Sequence, residues 1–117
     1  MNNDVTHIDN YQIKALKKLV NSGIIHTIYP MIDTIDVNVN NQNIAFGKLY
    51  PMIQLIIKLN DPEINSKNIW DKSDFDPHYL VDKYLRELLP YIGINNNTTL
   101  VSFHVYSPDG KLIITGD

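Results

Sequence analysis

The run from Phe75 to Pro90 constrains this chain more than any other, because it carries the start and stop signals of one amphipathic helix. Asp76 can accept backbone N–H bonds at a helix start. Pro77 suits the first helical position, where its missing N–H would have had no intrahelical partner. Leu80, Val81, Tyr84, Leu85, Leu88 and Leu89 recur with the step of one helical face. Asp82, Lys83, Arg86 and Glu87 occupy the opposite side, with Asp82 and Arg86 four apart in the favourable order. Pro90 and Gly93 then close the helix, since proline disfavours helix at the residue before it and glycine accepts a left-handed conformation beyond a helix end.

Other segments add the layers that this helix needs. Tyr11 to Val20 is a second helical pattern with Ile13, Leu16, Leu19 and Val20 on one face, stopped by Ser22-Gly23. Its Lys14, Lys17 and Lys18 read as a solvated face. The apolar run Ile24 to Pro30 is β-branched but interrupted by proline, and is expected to be a linker or short edge strand. Ile35, Val37 and Val39 alternate with Asp36 and Asn38, the pattern of a half-buried strand. Asn40 to Asn43 is a polar turn, and Gly47 marks a bulge or bend. Met52 to Leu59 is a strand with apolar residues on both sides, which places it centrally in a sheet. Leu100 to Tyr106 and Lys111 to Thr115 form a hairpin around Ser107-Pro108-Asp109-Gly110, which has turn chemistry at every position. The order helix, strand, strand, helix, strand, strand predicts an α+β fold with a mainly antiparallel sheet and helices packed on one face.

At 117 residues the chain is expected to be one domain, residues 1–117, with enough length for its own core. Hydrophobic residues make up 44% and charged residues 20%, a globular balance rather than a disordered one. The absence of cysteine excludes a disulfide framework and thiolate metal sites. A formal net charge of −3 argues against a general nucleic-acid binder. No run approaches the ~20 apolar residues of a membrane span. Met1-Asn2-Asn3-Asp4 lacks the basic and apolar regions of a signal peptide, so a cytoplasmic location without membrane association is the expectation.

The connection from Asn60 to His78 is the strongest candidate site. Asp61, Glu63, Asp71, Asp74 and Asp76 stand there against Lys67 and Lys72, an excess of three negative charges that equals the net charge of the chain. Trp70 and Phe75 lie inside it, and long connections in compact domains are usually functional or disordered. The partner-binding set read from this stretch is Asp61, Glu63, Trp70, Asp71, Asp74, Phe75 and His78. The competing reading is a solvated connection whose Trp70 plugs the core.

Other chemistries fare worse. Asp71, Asp74, Asp76 and His78 crowd possible metal ligands, but a calcium loop needs a central glycine and a terminal glutamate, and capping already accounts for Asp76. No nucleophile elbow, phosphate loop, dinucleotide fingerprint or His-Glu-x-x-His motif is present, and Gln54 to Lys58 lacks the Glu-x-Lys of a metal-dependent nuclease. No metal or cofactor is therefore expected. His7, His26, His78 and His104 are dispersed. His104 shares a strand face with Ser102 and Tyr106, which an open sheet could display together. Tyrosine outnumbers the other aromatics at seven residues, a type enriched at protein interfaces.

In size, lack of cysteine, acidity and α+β reading, the chain resembles small bacterial immunity proteins that neutralise toxins, including those of contact-dependent inhibition systems. The resemblance rests on this overall profile and carries no residue roles. It implies a cytosolic inhibitor of a toxin domain, often a nuclease, whose basic cleft an acidic loop could block. The expected function is thus an acidic module that recognises a basic protein partner. The alternatives are a small enzyme using His78 or His104 beside Asp74 or Asp76, and a structural subunit of an oligomer.

Overall fold

The computed structural model describes residues 7–72 and 75–116. Helix α1 (Asn10–Val20) is opened by a reciprocal pair in which Asp9 and Gln12 satisfy each other's backbone N–H groups. Helix α2 (Gly23–Ile28) follows at once, so the expected linker or edge strand over 24–30 is a helical turn instead. The burial pattern explains the difference: Ile25 and Tyr29, four residues apart, are buried while Thr27 between them is exposed, a spacing that fits a helical turn, whereas a strand would turn all three to one side. Strand β1 (Ile32–Asn40) leads into a ribbon of β2 (Ile44–Ala45) and β3 (Lys48–Leu49), and β4 (Met52–Leu59) returns along β1. A short helix α3 (Ile69–Lys72) precedes the crossover helix, residues 77–92, and then β5 (Leu100–Tyr106) and β6 (Leu112–Gly116) complete the chain.

The sheet has the order β1-β4-β5-β6. Pairing is antiparallel at both flanks and parallel between β4 and β5, as the long helical crossover between those two strands requires. Two antiparallel pairings and one parallel satisfy the α+β expectation, and β4 is central as its two-sided apolar sequence implied. Ile35, Val37, Ile53, Leu55, Ile57, Val101, Phe103 and Val105 point to one face. There they pack with Leu16, Val20, Ile25 and Tyr29 from the first two helices and Leu80, Val81, Leu85 and Leu89 from the crossover helix. The opposite face, with Asp36, Asn38, Gln54, Ile56, Lys58, Ser102, His104 and Tyr106, is half-buried or exposed.

The crossover helix begins as foreseen, with the Asp76 carboxylate accepting from the N–H groups of His78 (3.0 Å) and Tyr79 (3.3 Å). It then departs from a uniform α-helix. Leu80–Leu85 is π-helical, with the Arg86 N–H reaching Val81, and Leu89–Ile92 tightens into a 3₁₀ turn ended by Gly93 at φ +78°. The wider winding changes which residues share the inner face. Leu80, Val81, Leu85 and Leu89 remain buried, while Tyr84 and Leu88 turn out to half-exposure.

One sheet edge is sealed by side chains. The Asn21 amide donates to the Ile35 carbonyl at 2.7 Å and accepts from the Ile35 N–H at 3.2 Å, occupying the place of a further strand. Asp36 accepts from the N–H of Val37 at 2.8 Å on the same strand. Such capping removes backbone groups that would otherwise invite another chain to pair.

Candidate functional site

The acidic connection leaves the sheet where β4 ends, and its shape comes from asparagine and aspartate side chains. Asn60 is tied back by its N–H to Met31 (2.8 Å) and by its amide to Pro30 (2.9 Å). Asp61 accepts from the Glu63 N–H at 2.9 Å, and the Asn68 amide donates to the Glu63 carbonyl at 2.9 Å. Asn65 and Asn68 accept from each other's N–H groups at 2.8 and 3.1 Å. These side chains satisfy a backbone that belongs to no regular element and give residues 60–68 a defined course. Ile64, Ile69 and Phe75 fasten it to the core.

That fastening decides the roles of the two aromatics. Phe75 is only 1% exposed and meets Tyr29 edge-on at 5.4 Å, so it anchors the connection internally and presents nothing to a partner. This corrects its assignment to the docking surface. Trp70 does the reverse: at 48% exposure it does not plug the core, a position that Ile69 fills. Its ring lies parallel to His78 at 6.3 Å, and His78 in turn stands edge-on to Phe103 at 5.0 Å. The indole thus lies alongside an exposed imidazole with about half of its own surface open. Asp71 and Asp76 are exposed beside this ring pair in the chain, Glu63 is exposed and Asp61 half-buried near the start of the connection. Asp74 lies outside the described residues.

A feature that the sequence did not disclose is the neighbour of this connection. Because β4 and β5 are parallel, the connection after one and the turn after the other emerge at the same end of the sheet. Between them lies a cleft of about 300 Å³ lined by Pro62, Asn65 and Ser66 on one side and Ser107, Asp109 and Lys111 on the other. Asp109 accepts a short hydrogen bond from the Ser107 hydroxyl, which, with Lys111 nearby, holds its carboxyl below the usual range. The turn itself was readable from Ser107-Pro108-Asp109-Gly110; its contribution of another carboxylate to the acidic end was not.

On the open sheet face, His104 and Gln54 approach through their Nε2 atoms at 3.1 Å, and Tyr106 lies 6.4 Å from the imidazole. The joint display of Ser102, His104 and Tyr106 is therefore real. Among the described residues, neither His104 nor His78 has a carboxylate in hydrogen-bond or ion-pair reach; His7 does, with Asp9 at 3.5 Å on the exposed surface. No group of three metal-ligating side chains occurs among the described residues, and no helix there is long and apolar enough to cross a membrane. Comparison with protein-family models, curated proteins and solved structures finds no match for this chain.

Proposed function

We propose that this chain is a protein-binding module that docks a basic protein on the connection after β4 and the adjoining β5–β6 turn. The observation that carries the reading is Trp70, half-exposed beside the parallel ring of His78 in a connection that also presents Asp61, Glu63, Asp71 and Asp76. Side-chain hydrogen bonds that order residues 60–68 in the free state lower the entropic cost of binding, and a half-exposed indole next to them can act as an anchor. Carboxylates around it steer a cationic partner and discriminate against anionic ones more than they add affinity. A toxin domain such as a nuclease, with a basic cleft for its own anionic substrate, has the complementary chemistry, and the immunity reading makes it the partner.

The test is affinity capture from the native host followed by calorimetry on the recovered protein. A basic partner is expected, with affinity falling as salt rises. Trp70→Ala should cost about 2 kcal/mol or more, as for a central anchor. Asp71→Asn or Glu63→Gln should each cost about 0.2–1 kcal/mol, as for exposed charges. An acidic partner, or a partner whose affinity ignores both Trp70→Ala and salt, would overturn the proposal.

A further inference from the structure

The β2–β3 ribbon stands at the end of the sheet opposite the acidic connection, between the ends of β1 and β4 where Asn40 pairs with Met52. Ile44 pairs with Leu49 and Ala45 with Lys48, which leaves Phe46 and Gly47 as a two-residue turn, and both have positive φ (+53° and +75°). Such a turn favours asparagine or aspartate before glycine, and a phenylalanine there is a conformational outlier. Nothing in the fold compensates for it: Phe46 is 91% exposed, Ile44 73% and Leu49 54%, and none belongs to the core or packs against it. Three large apolar side chains on one strained ribbon form a surface that needs a partner.

The same chain offers a matching receptor. Leu19, Ile24, Ile25, Tyr84 and Leu88 line a groove of about 220 Å³ between α1, α2 and the crossover helix, with Glu87 on its wall. Its existence follows from the π-helical stretch, after which Leu88 sits at half-exposure instead of in the core. The ribbon cannot fill the groove of its own molecule. Asn41 and Ile8 hold the start of α1 beside the ribbon, whereas the end of α1 lies level with Ile35, several residues down β1. The one charge on the ribbon is Lys48, opposite in sign to Glu87, whose exposed carboxylate already pairs with Lys83 at 3.2 Å and would be shared between the two ammonium groups.

We propose that two copies of this chain associate about a two-fold axis, each inserting Phe46 into the groove of the other, with Lys48 facing Glu87. Antiparallel placement brings each ribbon end to the groove end of its partner and uses both contacts. A single head-to-tail contact would leave one ribbon and one groove open and propagate into filaments. Stable interfaces bury about 1,000 Å² or more, which the reciprocal arrangement favours by using both elements twice. The proposal does not rest on the acidic connection, although the groove lies toward that end of the sheet, where Tyr29 meets both Tyr84 and Phe75.

Sedimentation of the full chain over micromolar to near-millimolar concentrations should show a monomer–dimer equilibrium. Phe46→Ser should weaken association about 30-fold for each contact, and so about 1,000-fold for the pair. Leu88→Arg should do the same from the groove side. Urea unfolding checks that each variant is folded. A mixture of the two variants is decisive, since the intact Phe46 of one still fits the intact groove of the other. Heterodimers should form where each variant alone is monomeric. A wild-type chain that stays monomeric throughout, a Phe46→Ser chain that dimerises normally, or an open-ended series of polymers would each overturn the proposal.

Discussion

Asn21→Ala tests how the fold protects its sheet edge. Asn21 closes α1 by donating to the Lys17 carbonyl at 2.9 Å, and the same amide makes two bonds to the backbone of Ile35. A net hydrogen bond is worth about 0.5–1.5 kcal/mol, so three bonds set a range of about 1.5–4.5 kcal/mol. Asn21 is exposed, and after truncation water can reach both Ile35 groups, so the expected loss lies in the lower half, about 1.5–2.5 kcal/mol. With an unfolding entropy of about 2.1 cal/mol/K per residue over 117 residues, 2 kcal/mol lowers the melting temperature by about 8 °C. Urea titration monitored by Trp70 fluorescence should show a lower midpoint at unchanged slope. Asn21→Asp keeps the acceptor for the Ile35 N–H but loses both donors and places a negative charge at a helix C-terminus, so it should be no more stable than the alanine variant. Light scattering should also rise for Asn21→Ala as the edge opens. A loss below about 0.5 kcal/mol, smaller than a single net hydrogen bond, would refute the view that this amide stands in for a strand.

Two further expectations follow from the core. Burial, reinforced by Tyr84 and Asp76, pushes the Tyr29 hydroxyl up to about 12, above its ordinary value of 10.0. The unfolded chain therefore ionises first, so stability should be flat below pH 10 and fall between about 10 and 12, and Tyr29→Phe should flatten that fall in pH-dependent urea titrations. A Cβ on Gly116 would lie 2.5 Å from the Phe103 ring, so Gly116→Ala should destabilise by about 1–3 kcal/mol in the same assay; an unchanged midpoint would mean that β6 can move away from that ring.

Local patterning was enough to place the four strands of the main sheet and the start of the crossover helix, though not the β2–β3 ribbon. Asp76 and Pro77 specify that start because capping involves only neighbours in the chain, and the alternation along β1, β4 and β5 follows from a two-residue repeat facing one core. The sequence by itself also determined where acidic residues concentrate, since charge along a chain is a matter of counting. Four matters were decided by tertiary structure. The 24–30 segment turns as a helix that buries Ile25 and Tyr29 and leaves Thr27 in water, a choice its β-branched, apolar sequence did not reveal. The crossover helix winds as a π-helix over Leu80–Leu85, which the helical repeat in its sequence did not foretell. Phe75, expected at the surface together with Trp70, went to the core, where it meets Tyr29 edge-on, while Trp70 stayed exposed. The pairing of the acidic connection with the Ser107–Gly110 turn came from β4 and β5 running parallel, a long-range contact between segments some fifty residues apart. Sequence pattern reports which surface a residue prefers, water or core; only the packed chain settles which other residues share it.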